Sequence, residues 1–263
     1  MPDRLPLSAV IITLNAASQL EACLQSLQFC ADIVVVDSGS SDGTQALAQR
    51  YGARVIDCPW RGFGPQKQFA VEQALHDWVL CVDADERVSA PLRDSIDAAL
   101  AATPATLAPQ FAAYRFPRCN RFMGRYLRHG EGYPDLSLRL FDRRRARWSD
   151  DAVHEKVVAA AGAAVGTLGG DLMHDSVESL DSYLAKQNRY TTLAAEAAFA
   201  RGKRASAGHL LLSPLIRFCK FYFFRLGFLD GLPGLIHILI GCGNSFAKYA
   251  KMAALQQKSQ ENQ

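Results

Sequence analysis

At 263 residues the chain has room for one α/β core with an appended helical region. With 49% hydrophobic and 21% charged residues it is too apolar for a disordered chain and can bury a sizeable core. A net charge of +3 gives no bulk argument for nucleic acid, and seven scattered cysteines without a Cys-x-x-Cys pair read as reduced, buried thiols in the cytosol rather than a zinc or redox centre.

Met1 to Leu7 shows no basic stretch followed by an apolar run, so no signal peptide is expected. Ser8 to Leu14 reads as a buried strand. The next stretch places Leu20, Cys23, Leu24 and Leu27 at helical spacing behind a Ser18-x-x-Glu21 capping box. Ile33 to Asp37 is a second strand, Ser38 to Gly43 a polar turn, and Thr44 to Tyr51 a helix stopped by Gly52. A third strand (Ala53 to Asp57), a helix after Pro65 (Gln66 to Leu75) and a fourth strand (Trp78 to Val82) follow, the last ending in Asp83-Ala84-Asp85. Continuous apolar strands suit a mostly parallel sheet with helices on both faces. Pro91 opens a helix carrying Leu92, Ile96 and Leu100.

Thr103 to Pro109 reads as a linker. Beyond it come strand-like pieces (Phe111 to Phe116, Leu136 to Phe141, Val153 to Val158, Ala163 to Leu168), then a helical pattern from Ser179. The division expected is an α/β domain over 1–175, in two halves (1–102 and 103–175), and a helical region over 176–263. From His209 to Ala247 apolar runs are broken by Pro214, Arg217, Lys220, Arg225, Asp230 and Pro233, leaving no clean span of about 20 apolar residues. The mixture of Phe218, Phe221, Tyr222, Phe223, Phe224 and Phe228 with Arg217, Lys220 and Arg225 fits an interfacial helix on an anionic leaflet, with packing against the α/β domain as the alternative.

The chemistry gathers at two places. Asp83 and Asp85, at the carboxyl end of a strand, project to one side if the chain stays extended, and two anions there invite a hard divalent cation that keeps positions open for diphosphate oxygens. Ligands of open α/β sheets sit at that edge. The second place is Val34-Val35-Val36-Asp37-Ser38-Gly39-Ser40-Ser41-Asp42-Gly43-Thr44, where a strand turns into a helix and offers backbone N–H groups and Asp37 to a ligand, Gly39 and Gly43 letting the backbone turn tightly. A helix cap by Ser41 or Asp42 accounts for part of the same pattern.

In order and spacing these residues resemble glycosyltransferase family 2, whose members open with a strand like Ala9 to Asn15, continue through Val-Asp-x-Gly-Ser-x-Asp-Gly-Thr, and then present Asp-x-Asp. The resemblance implies a GT-A nucleotide-diphospho-sugar transferase fold with a C-terminal helical, apolar appendage. It places Thr13, Asn15, Asp37, Ser38, Gly39 and Asp83 at the donor nucleotide, and Asp83 and Asp85 on a Mg²⁺ or Mn²⁺ ion, with His154 a candidate third ligand. The chain has Ser38 where many members carry a second acid that reads the base. Gly132-Tyr133-Pro134-Asp135-Leu136-Ser137-Leu138-Arg139-Leu140-Phe141, followed by Val153-His154-Glu155-Lys156, looks like the branch that builds bacterial lipopolysaccharide inner core.

That branch implies inverting transfer of a hexose, glucose from UDP-glucose, to a lipid-linked acceptor at the cytoplasmic face of the inner membrane. Gly132-Tyr133 replaces the usual Glu-Asp pair, leaving Asp135, then Glu155 and Glu131, as candidates for the base; Arg139 is a candidate contact to diphosphate or acceptor. A nucleotidyltransferase or a nicotinamide-binding domain would need a glycine-rich loop after the first strand, and Asn15-Ala16-Ala17-Ser18 is not one. A family 2 transferase acting on another cell-surface polysaccharide, or a sugar-binding protein that has lost the chemistry, stays open.

Overall fold

A computed structural model describes residues 4–101, 111–149, 155–176 and 179–261. The first half alternates strand and helix as its apolar periodicity requires: β1 (Leu5–Thr13), α1 (Ala17–Ser26), β2 (Cys30–Asp37), α2 (Thr44–Arg50), β3 (Arg54–Asp57), α3 (Phe63–Glu72) and β4 (Trp78–Cys81). Next come β5 (Glu86–Val88), α4 (Ala90–Ala101), β6 (Ala113–Phe122), β7 (Arg125–Tyr126), β8 (Asp135–Asp142), β9 (Ala146–Trp148), β10 (Val157–Ala159), β11 (Val165–Thr167) and β12 (Leu172–His174).

The main sheet runs β3-β2-β1-β4-β8-β6-β12-β5. It is parallel through β3, β2, β1 and β4, and antiparallel where β8 joins β4 and β6. Along β1, Leu7, Ala9 and Ile11 enter a core with Leu20 and Leu24 of α1, Leu47 of α2 and Leu92 and Ile96 of α4. Val10, between them, enters a second core with Ala70 and Val71 of α3, Phe141 and Trp148. Alternate side chains thus serve opposite faces, so the strand is buried at most of its positions and carries the apolar run Ala9 to Ile12 without polar alternation. Each fully buried Leu or Ile contributes about 1.5–3 kcal/mol of transfer free energy.

Two expectations are corrected here. The Ser18-x-x-Glu21 capping box does not form: α1 begins after Ala16 without a side-chain cap of its own, and its first N–H groups are met by the other loop, Ala16 N donating to Thr44 Oγ1 (2.9 Å) and Ala17 N to Asp42 Oδ2 (3.0 Å). Glu21 instead accepts from the Tyr51 hydroxyl at 2.7 Å. Nor is Asp83 to Asp85 extended, since Glu86 N donates to Asp83 O at 2.9 Å and closes a turn there. The linker expected over Thr103 to Pro109 and the start of the piece from Val153 fall outside the described residues.

The chain forms two compact units, one of Met1–Arg118 with Asp135–Asp175, the other of Cys119–Pro134 with Ser176–Gln263. The stretch Cys119–Pro134, read from sequence as part of the half spanning 103–175, therefore folds with the C-terminal helices. In that second unit α5 (Leu180–Ala200) is N-capped by Ser179, whose Oγ accepts from Ser182 N at 3.1 Å. After α6 (Ala207–Phe218), a π-helical turn (Cys219–Phe224) and a 3₁₀ turn (Gly227–Asp230) lead into α7 (Gly231–Glu261). Ala195, Ala198 and Met252 form a small core between α5 and α7.

Candidate active site

The β1 and β2 loops are stitched together around Asp37, which is fully buried. Its carboxylate accepts from Thr13 Oγ1 (2.7 Å), Gly39 N (3.1 Å), Ser40 N (2.7 Å) and Gln45 Nε2 (2.8 Å). Burial alone would raise its pKa, but these hydrogen bonds outweigh that and hold it below the usual carboxylate range. Asn15, at φ +51°, accepts from Ser41 N at 2.9 Å. Gly43, at φ +88°, starts α2 in the left-handed region where a side chain would be strained. Ser38 Oγ accepts from buried Gln66 at 3.1 Å. Thr13, Asn15, Asp37, Ser38 and Gly39 thus form one loop cluster, in which Asp37 organises the backbone.

The turn after β4 sends its two carboxylates to different partners. Asp83 lies between Lys67 Nζ (3.1 Å from Oδ1) and Arg139 Nη2 (2.9 Å from Oδ2). Asp85 Oδ2 faces His174 Nε2 at 3.2 Å. The second contact is set by the sheet: β12 pairs with β5 so that His174 lies opposite Glu86, and Asp175 N donates to Asp85 O at 2.9 Å. Gly170 makes this return possible, because a Cβ there would fall 2.2 Å from the backbone N of Leu92 at the start of α4.

From Asp83 the charges alternate in both directions. Lys67 also reaches Glu155 Oε1 (3.4 Å). On the other side Arg139 approaches fully buried Glu86 (3.7 Å), Glu86 approaches Arg118 (3.7 Å), and Arg118 holds Asp135 (2.8 Å). The order is Glu155, Lys67, Asp83, Arg139, Glu86, Arg118, Asp135, with the two first-choice candidates for the base at its ends. Lys67 and Arg139 both lie over the Trp148 ring, 4.9 and 5.5 Å from its centroid. Burial would lift Asp83, yet Arg139 and Lys67 hold it well below the carboxylate range. Burial pushes Glu86 up against the pull of Arg139. Glu86 Oε1 and Arg139 Nη1 are buried without a hydrogen-bond partner.

A cleft of about 320 Å³ is lined by Lys67, Ser137, Arg139, Trp148, Glu155 and Lys156. A larger open groove of about 770 Å³, between α1 and α2, contains none of the expected site residues. It lacks the convergent charges that a diphosphate needs, so the smaller cleft is the better candidate.

Glu131 belongs to the second unit, where Arg217 binds both its carboxylate oxygens. His154 lies outside the described residues, among which no group of three or more His, Cys, Asp or Glu is arranged to hold a metal. Arg143 and Arg144 hold the β8–β9 turn through Ala74 O (2.7 Å) and Asp142 (2.7 Å).

Sequence reading missed Lys67, Glu86, Arg118 and His174 as site residues. Lys67 had a legible signal, since it shares the buried stripe of α3 with Gly64, Ala70 and Val71. His174 had none, because its partner lies 89 residues away.

The glycosyl transferase family 2 model matches residues 8–162. The lipopolysaccharide core biosynthesis glycosyltransferase LpsC of Rhizobium meliloti (strain 1021) is 36% identical over 258 residues, covering 96% of this chain and 93% of that protein. A Rickettsia felis (strain URRWXCal2) glycosyltransferase is 30% identical, over 95% of this chain and 89% of its own. Among solved structures, the mannosyltransferase PcManGT from Pyrobaculum calidifontis, in complex with GDP-Man and Mn²⁺, superposes with a TM-score of 0.51 at 18% identity, over 97% of this chain and 88% of that one. At that identity the superposition speaks for the fold alone. A strand-turn-helix loop cluster, an acidic turn at the sheet edge and a family match through both make this chain a glycosyltransferase of family 2 with a GT-A fold.

Proposed function

We propose that the enzyme transfers glucose from UDP-glucose, with inversion, to a sugar of a lipid-linked acceptor during assembly of lipopolysaccharide core, at the cytoplasmic face of the inner membrane. The observation that carries this reading is the acidic turn itself, with Asp83 held between Lys67 and Arg139 and Asp85 turned to His174. The similarity to LpsC over nearly the whole of both chains supports the core-oligosaccharide acceptor.

Asp85 and His174 would hold the divalent ion: the carboxylate oxygen suits Mn²⁺ or Mg²⁺, and the imidazole nitrogen 3.2 Å from it favours Mn²⁺ over the oxygen-seeking Mg²⁺. When bound, that ion supplies positive charge to a departing diphosphate. Asp83 is then the neighbour that Lys67 and Arg139 keep ionised, available to accept from a ribose hydroxyl.

In the transfer, an acceptor hydroxyl oxygen forms a bond to the anomeric carbon as the bond from that carbon to the diphosphate oxygen breaks. The electron pair leaves with the nucleoside diphosphate. The hydroxyl proton passes to Asp135, whose carboxylate is 40% exposed and oriented by Arg118. Glu155, tied to Lys67 at the other end of the charge chain, is the second choice.

The test is nucleoside diphosphate release from a panel of sugar nucleotides with Mn²⁺ or Mg²⁺ and a core-oligosaccharide acceptor. UDP-glucose is expected to support turnover, and Asp85→Ala to abolish it. Equal turnover by Asp85→Ala removes the metal reading, and turnover with a different donor alone reassigns the substrate.

A further inference from the structure

The second unit carries an apolar face that is exposed among the described residues. On α6, Leu211, Leu212, Leu215 and Ile216 are 73%, 56%, 58% and 63% exposed, and their spacing puts them on one side of the helix. The face continues into the turns that follow, where Phe224 is 83% exposed and Phe223, Phe228 and Leu229 are also open to solvent. Among the described residues no single helix is long and apolar enough to cross a membrane; Ala207–Phe224 and Gly227–Gln260 reach that length and apolarity only together, and they are bent by 75° at the break between them. The bend falls at Arg225–Leu226, with Leu226 in the left-handed region at φ +54°. The apolar rings therefore cluster at the tip of a sharp corner.

The charges around that corner have one sign. Between Arg201 and Gln260 the only acidic residue is Asp230. It is 2% exposed, its carboxylate turned inward to accept from Arg128 N (2.9 Å) and His129 N (2.8 Å). Lys220 and Arg225 flank the exposed phenylalanines, and Arg125 of β7 donates to Leu229 O at 2.9 Å, which brings the β6–β7 hairpin to the same corner. A face that is apolar at its centre and flanked by Lys220, Arg225 and Arg125 matches the surface of an anionic leaflet. A second copy of the chain would set like charges against each other.

We propose that the corner from Leu211 to Leu229 seats the protein on one leaflet of an anionic bilayer without spanning it, Phe224 entering the acyl boundary and Arg125, Lys220 and Arg225 meeting lipid phosphates. Such a seat serves the lipid-linked acceptor of the transfer proposed above, on which its purpose rests; the surface itself lies wholly within the second unit.

Flotation of the full chain with phosphatidylcholine vesicles, alone and mixed with phosphatidylglycerol, tests it. Binding is expected with the anionic vesicles and should weaken with salt. Leu211→Glu with Phe224→Glu should lower the partition coefficient by about tenfold or more, with an unchanged circular dichroism spectrum because both side chains are exposed. Lys220→Gln with Arg225→Gln should erase most of the preference for anionic lipid. In a Phe224→Trp chain, fluorescence at that ring should shift to the blue on adding anionic vesicles.

Binding to neither vesicle, equal binding to both, or undiminished binding of the double Glu variant overturns the seat. So does lipid-free self-association that the double Glu variant abolishes, which would assign the face to a second copy. Nucleotide release measured without vesicles separates the two readings: kept while vesicle binding fails, it rejects the seat alone, and absent while vesicles bind, it rejects the transfer alone.

Discussion

His174 Nε2 lies 3.2 Å from Asp85 Oδ2, across two short strands that the chain joins only after 89 residues. An imidazole and a carboxylate at that separation can share a divalent ion, and neither alone would hold one firmly. We expect His174→Ala to weaken Mn²⁺ binding at least about tenfold, the loss seen even when an outer-shell partner of a metal site is removed. Titration of the protein with Mn²⁺ followed by electron paramagnetic resonance reads this directly. Unchanged affinity would take His174 out of the metal site.

Lys67 neutralises both Asp83 and Glu155 from the buried face of α3. Lys67→Met keeps the volume on Trp148 but leaves two half-buried carboxylates without their common cation. The expected destabilisation is about 1–3 kcal/mol, below the value for a fully buried pair because both acids retain solvent contact. Urea unfolding measures it, and nucleotide release should fall as Asp83 loses its position.

Asp135 and Glu155 terminate the same charge chain, so they can be separated by kinetics. Asp135→Asn should lower kcat by about 10²- to 10⁴-fold while donor affinity is kept, whereas Glu155→Gln should change kcat much less. The reverse ranking in a coupled assay would move the base to Glu155.

His237 supplies a pH dependence in the second unit. Burial, and then the charge of Arg217, lower its pKa, and its Nε2 is 3.1 Å from the Tyr183 hydroxyl. The unfolded chain therefore binds the proton more readily than the folded one just below the ordinary histidine value of about 6.5. Stability from this residue is complete above that pH and is lost as pH falls toward the lower folded value. Thermal unfolding of His237→Phe, which keeps the ring contact with Phe122, should fall less over that range than the wild type.

Much of this molecule could be read along the chain because its signals are local. The apolar runs of β1, β2 and β4, the helical stripes of α1 and α4, and the Asp-Ser-Gly turn each occupy a few consecutive residues, and period and turn chemistry fix them. The same locality misled at α1, where a capping box reads well but the helix starts earlier, after Ala16, with Thr44 and Asp42 of the neighbouring loop accepting from Ala16 N and Ala17 N.

Which charges meet was decided by tertiary structure. Lys67 sits on α3, Asp83 after β4, Arg118 on β6, Arg139 on β8 and His174 on β12; only strand pairing, and the close pass at Gly170, bring them within 4 Å of their partners. A Coulomb interaction depends on distance through space, and a sequence records distance along the chain. Candidate residues such as Asp37, Asp83, Asp85 and Arg139 were therefore visible beforehand, while the partners that meet them waited for the fold.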